Sequence, residues 1–106
     1  MTKLVRIQTP EGAIVHALAD DPAAYRPIDG DVFSDWRPTD RTIPREACRL
    51  LAPVAPPNIL AIGLNYRAHA QESGQALPER PVLFSKATTA LLDPEADIVL
   101  PRAAPN

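Results

Sequence analysis

His69 and Glu72 stand three residues apart in the segment Gly63-Leu64-Asn65-Tyr66-Arg67-Ala68-His69-Ala70-Gln71-Glu72. On a helix, that spacing places two side chains on one face and within reach of each other. A carboxylate that holds an imidazole fixes its tautomer and raises its basicity. Such an imidazole can take a proton from water near neutral pH. By spacing alone, the pair reads rather as two solvated residues on an exposed helix, since such pairs are common.

Other residues with reactive side chains carry less. Cys48 lies in the apolar run Ala47-Cys48-Arg49-Leu50-Leu51, where a free cysteine behaves as a small buried hydrophobe. His16 has no charged neighbour in sequence and reads as structural or exposed. Asp93, Glu95 and Asp97 cluster around Pro94. Oxygen-rich spacing of this kind can suit calcium or magnesium, but no glycine organises the loop, so a solvated turn is expected.

The elements that must position these groups can be read from the local patterns. Lys3 to Gln8 alternates, with Val5 and Ile7 on one face, and reads as a strand. Thr9-Pro10-Glu11-Gly12 supplies turn chemistry, and Ala13 to Leu18 reads as the returning strand of a hairpin. Pro22 and Pro27 interrupt the next stretch, Asp31 to Trp36 is expected as a third strand, and Arg37 to Pro44 as a loop. Arg49-Leu50-Leu51 is a short apolar element stopped by Pro53, Pro56 and Pro57, which place a domain boundary near Ala55.

Ile59 to Leu64 is continuously apolar, the pattern of a strand buried on both faces. Asn65 is suited to cap the helix that begins there. Tyr66 to Ser73 contains good helix formers, and Gly74 supplies the stop. Tyr66 is expected to pack beneath that helix. Val82-Leu83-Phe84 forms a compact strand core leading into Ser85-Lys86, and Ile98-Val99-Leu100-Pro101 reads as a further short strand.

The chain has 106 residues, 45% hydrophobic and 23% charged, with a formal net charge of -2. This bounds it to one ordinary domain or two very small ones. No basic stripe suits a phosphate backbone, so nucleic acid is not an expected partner. No apolar run approaches the roughly 18 residues of a membrane span. The alternating N-terminus is unlike a signal peptide. One cysteine permits no intrachain disulfide and fits a reducing cytoplasm. Against only 4 glycines, 13 prolines indicate short strands and rigid turns rather than long helices.

Taken in order, Ile62-Gly63-Leu64-Asn65-Tyr66, His69, Glu72, Pro78 and Pro81-Val82-Leu83-Phe84-Ser85-Lys86 resemble the fumarylacetoacetate hydrolase family. Arg49-Leu50-Leu51-Ala52-Pro53-Val54 matches the usual approach to this motif, and the opening hairpin is similar to the small N-terminal domain of many bacterial members. The resemblance implies a mainly β chain with a short helix. Residues 1–55 would be a small β-hairpin domain, and 56–106 the opening strands of a mixed β-roll catalytic fold. It implies an enzyme acting on β-diketo or α-keto acids as hydrolase, decarboxylase or isomerase, and a homodimer in the complete protein. His69 and Glu72 would be the catalytic dyad that deprotonates water, on a helix belonging to a lid.

Asn65, Tyr66 and Lys86 would line the substrate site. Lys86 reads as a partner for a substrate carboxylate or, equally, as a solvated lysine at a strand end. The family also implies a divalent cofactor, Mg2+ or Mn2+. Its ligands, in a D-x-E-x-E-like strand and a later aspartate, would lie beyond Asn106, so no metal ligand is carried over. The chain is accordingly expected to be a truncated product or one segment of a longer polypeptide, inactive alone. The alternative is a non-catalytic remnant or interaction module that needs a partner chain.

Overall fold

A computed structural model describes residues 2–64, 66–74, 76 and 78–103, with the backbone alone for Arg67, His69 and Ala70. The chain divides into two compact units, Met1–Ala55 with Leu92–Asn106, and Pro56–Leu91. Both are built on antiparallel sheets, so the chain is mainly β with one short helix.

The first unit opens with the hairpin expected from the alternating pattern, β1 (Leu4–Gln8) and β2 (Ile14–Leu18). Its loop closes through Thr9 N–H to Ala13 O at 2.8 Å and Gly12 N–H to Thr9 O at 2.9 Å. Gly12 takes a φ of 86°, the left-handed backbone for which glycine carries no steric cost. Strands β3 (Ala24–Gly30), β4 (Trp36–Pro38), β5 (Ile43–Pro44) and β6 (Arg49–Leu51) complete a sheet ordered β4-β3-β2-β1-β6, with β5 also on β3. Ile7 and Ala17, both fully buried, and Tyr25 form its centre, with Val5, Val15, Ala19 and Cys48 packed around them.

Two expectations need correction. The third strand is Ala24–Gly30, not Asp31 to Trp36. Pro27 does not break it, because this residue contributes only an acceptor: its carbonyl takes both the N–H and the hydroxyl of Thr39, each at 2.9 Å. Residues 31–35 instead reverse the chain. The Asp31 carboxylate accepts from Phe33 N–H at 2.9 Å, an Asx-type turn. Gly30 has φ 99°, and a Cβ there would lie 2.2 Å from the Asp35 carbonyl oxygen. The supposed loop from Arg37 to Pro44 then contains most of β4 and all of β5.

Arg45 fastens this region. Its guanidinium donates to the carbonyls of Ala19 and Asp21 and lies 4.7 Å from the Tyr25 ring centroid.

The second unit is a two-stranded ladder, β7 (Ile59–Gly63) against β8 (Val82–Lys86), with helix α1 (Arg67–Glu72) between them in sequence. Strand and helix fall within a residue or two of the expected limits. The burial expected for β7 is not met. Leu60 is 69% and Ile62 51% exposed, because β7 has one neighbouring strand and no layer over this face among the described residues. Ile98–Leu100 is not a strand. It is apolar but has no partner edge among the described residues, and it lies open to solvent.

Candidate functional site

The candidate site is built at the end of β7. Gly63 pairs with Val82, the last rung of the ladder, and Leu64 follows with φ 49°. A branched, bulky residue in the left-handed region is strained by roughly 1–2 kcal/mol, a cost tolerated mostly at tight turns and functional segments. Three residues later the helix begins. It ends on Glu72, after which Gly74, at φ 64°, donates its N–H to Gln71 O at 3.1 Å. The backbone therefore places positions 69 and 72 one helical turn apart, just past a strand end. Glu72 is exposed.

The remaining candidates are distributed differently. Tyr66 is 73% exposed, so it does not pack beneath the helix as expected; no layer lies there to receive it among the described residues. Asn65 lies outside the described residues, and with it the expected cap. Lys86 is the last residue of β8 and stands opposite Ile59, at the far end of the ladder from Gly63. Four residue steps along the strand separate the two rungs, roughly 13 Å. The structure thus brings together positions 69 and 72 but not Lys86. The Lys86 ammonium sits 5.8 Å from the Phe84 ring centroid, two residues earlier on the same face of the strand.

In the first unit, His16 is half-buried, with Nε2 3.3 Å from the Pro53 carbonyl oxygen, a structural placement. Cys48 is likewise half-buried, and burial pushes its thiol pKa up. The hydrogen bond from Arg26 lowers the pKa of Asp20, which it meets at 2.6 Å. An open recess of about 490 Å³ beside Asp20, Tyr25, Arg26, Thr39 and Asp40 contains none of the residues that the sequence offered for chemistry.

The acidic cluster proves to be more than a solvated turn. Asp93 is half-buried, accepting from Ala52 N–H at 2.8 Å on one carboxylate oxygen and from Arg49 at 3.1 Å on the other. With both oxygens so engaged, Asp93 does not offer a cation a free carboxylate. Among the described residues, no three His, Cys, Asp or Glu side chains come together to hold a metal ion. The described residues do not by themselves fit the divalent ion that the family resemblance implies. Sequence reasoning missed Asp93 as a structural acceptor, since its partners lie 41 and 44 residues away.

Comparison with known proteins bears directly on this arrangement. Residues 2–53 match the family model described as Rv2993c-like, N-terminal, and residues 58–106 match fumarylacetoacetate (FAA) hydrolase C-terminal. The chain belongs to the fumarylacetoacetate hydrolase family. Among members of this family, a rat protein named oxaloacetate tautomerase Fahd2a, mitochondrial, is 40% identical over 60 residues, which are 56% of this chain and 19% of that protein. A solved structure of an uncharacterized protein from Mycobacterium abscessus matches with TM-score 0.75 and 37% identity, covering 99% of this chain and 40% of that one. The 2-hydroxyhepta-2,4-diene-1,7-dioate isomerase from Mycobacterium marinum matches with TM-score 0.64 and 30% identity, over 85% of this chain and 34% of that one. The chain spans 20%, 29% and 19% of three curated relatives that it matches.

Proposed function

We propose that this chain is the N-terminal part of an enzyme acting on small β-diketo or α-keto acids, in which His69 and Glu72 handle the proton. The observation that carries this reading is the break between β7 and α1. A strained Leu64 turns the chain out of the strand so that positions 69 and 72 follow one helical turn apart. Glu72 orients the imidazole and fixes its tautomer; His69 takes a proton from water or from carbon next to a carbonyl. The names of the rat and Mycobacterium marinum relatives support the substrate class. Both denote small dicarboxylic acids with an oxo or enol group. Asn65, Tyr66 and Lys86 are assigned to substrate binding in the complete protein, which we take to be a cytoplasmic homodimer. The Mg2+ or Mn2+ that the family resemblance implies finds no ligand set among the described residues, and its ligands are assigned to the rest of the complete protein.

Residues 1–106 alone are inactive in this reading, because the metal ligands that the resemblance implies would lie beyond Asn106; among the described residues, Tyr66 and Glu72 are exposed. The test is turnover of oxaloacetate enol, an acylpyruvate and an unsaturated 2-hydroxy dioate. A complete polypeptide containing this chain is expected to convert at least one, and the 106-residue chain none. Turnover by the short chain, or none of the three by the complete protein, would refute the reading.

One observation favours a second reading, a non-catalytic module that pairs with another chain. Leu60, Ile62 and Leu83 share one face of the ladder and are 69%, 51% and 67% exposed. A face of that kind is suited to burial against another surface. Size-exclusion chromatography decides: a dispersed monomer counts against it.

A further inference from the structure

The segment Pro56–Leu91, which carries α1, is an excursion: the chain leaves the first unit after Ala55 and returns to it at Leu92. The departure point is held from three sides. Arg6, on β1, donates to the Ala52 carbonyl at 3.4 Å. His16, on β2, lies against the Pro53 carbonyl. Asp93, the second residue after the return, accepts the Ala52 N–H at 2.8 Å and binds Arg49 of β6.

Ala52 is 4% exposed, and it lies just past β6, the outermost strand of the sheet. A buried backbone N–H at such an edge needs an acceptor. The one it has comes from the far side of the excursion. The return is shaped to supply it: Ala96 N–H bonds to the Asp93 carbonyl at 3.2 Å, and Glu95 adopts φ 61° to close that turn.

We propose that Asp93 is a latch, joining the two ends of the 56–91 excursion at Ala52 and Arg49 and making the folding of that excursion dependent on the N-terminal sheet. One carboxylate does two separable things. Its Oδ1 satisfies a buried amide, and its Oδ2 pairs with a guanidinium. An ordinary surface ion pair would do only the second and would matter little.

Amide hydrogen exchange on the complete protein tests it, read at Ala52, at β7 and β8, and at the β1–β2 hairpin. In Asp93→Ala, exchange at Ala52 and across both excursion strands is expected to rise at least tenfold, with Ile7 and Ala17 unchanged. Asp93→Asn, which keeps an acceptor oxygen, should fall between wild type and alanine. Faster exchange confined to Ala52 would make Asp93 an edge cap only and overturn the proposal, as would no change anywhere. Should Asp93→Ala fail to fold, Asp93→Asn and Arg49→Gln give the same comparison. Activity is not the readout, so loss of the proposed function would leave this result intact.

Discussion

Cys48 shows how one side chain's surroundings decide its chemistry. It packs half-buried against the sheet centre, and burial raises the thiol above its ordinary value of 9.0, with the Glu11 carboxylate adding to the effect. The thiolate is the nucleophile, so this cysteine is poorly suited to attack. Alkylation by iodoacetamide at pH 8 is expected to run at least tenfold slower in the folded chain than after unfolding; equal rates would contradict the burial. Burial also sets the sign of a pH effect on stability. A group whose folded pKa is raised binds its proton more tightly when folded. Its contribution is therefore complete below pH 9.0 and is lost as pH rises through the folded value. Asp93 makes the complementary point, because its role depends on partners 41 and 44 residues away and not on its neighbours Glu95 and Asp97.

At the scale of elements, the hairpin is the firmest part of the structure. Ile7 is completely buried where β1 is flanked by β2 on one side and β6 on the other. Ile7→Ala should cost about 2–5 kcal/mol in chemical denaturation, the range for truncating a large core side chain. A loss below about 1 kcal/mol would mean that the core lies elsewhere.

This hairpin was legible in the sequence because period-two alternation and a Thr-Pro-Glu-Gly turn are both local signals. Strand β3 was not. Its proline argues locally against pairing, and only Thr39, 12 residues later, shows how the Pro27 carbonyl is used. Ile98–Leu100 failed for the opposite reason: its composition suits a strand, but a strand exists only where another edge receives it. The β7–α1 junction was legible because apolar run, polar break and glycine stop follow one another directly. Its exposure was not, since a continuous apolar run does not specify what covers it.

At the scale of the whole molecule, two units of different character share one chain. The first carries a buried centre of its own; the second carries the paired positions 69 and 72 on a ladder with an open apolar face. The family matches, residues 2–53 and 58–106, divide where the chain first leaves the first unit, and the second match runs on through residues 92–106, which return to that unit. Catalysis by this family member is proposed to depend on His69 and Glu72 acting as one unit. The most direct measurement is therefore kcat for His69→Ala, Glu72→Ala and the double variant in the complete protein. Each single change is expected to lower kcat by about 10²–10⁴-fold. The double variant should be scarcely worse than the poorer single, the mark of residues that work together. Single variants with kcat near wild type, or losses that multiply in the double variant, would contradict the account.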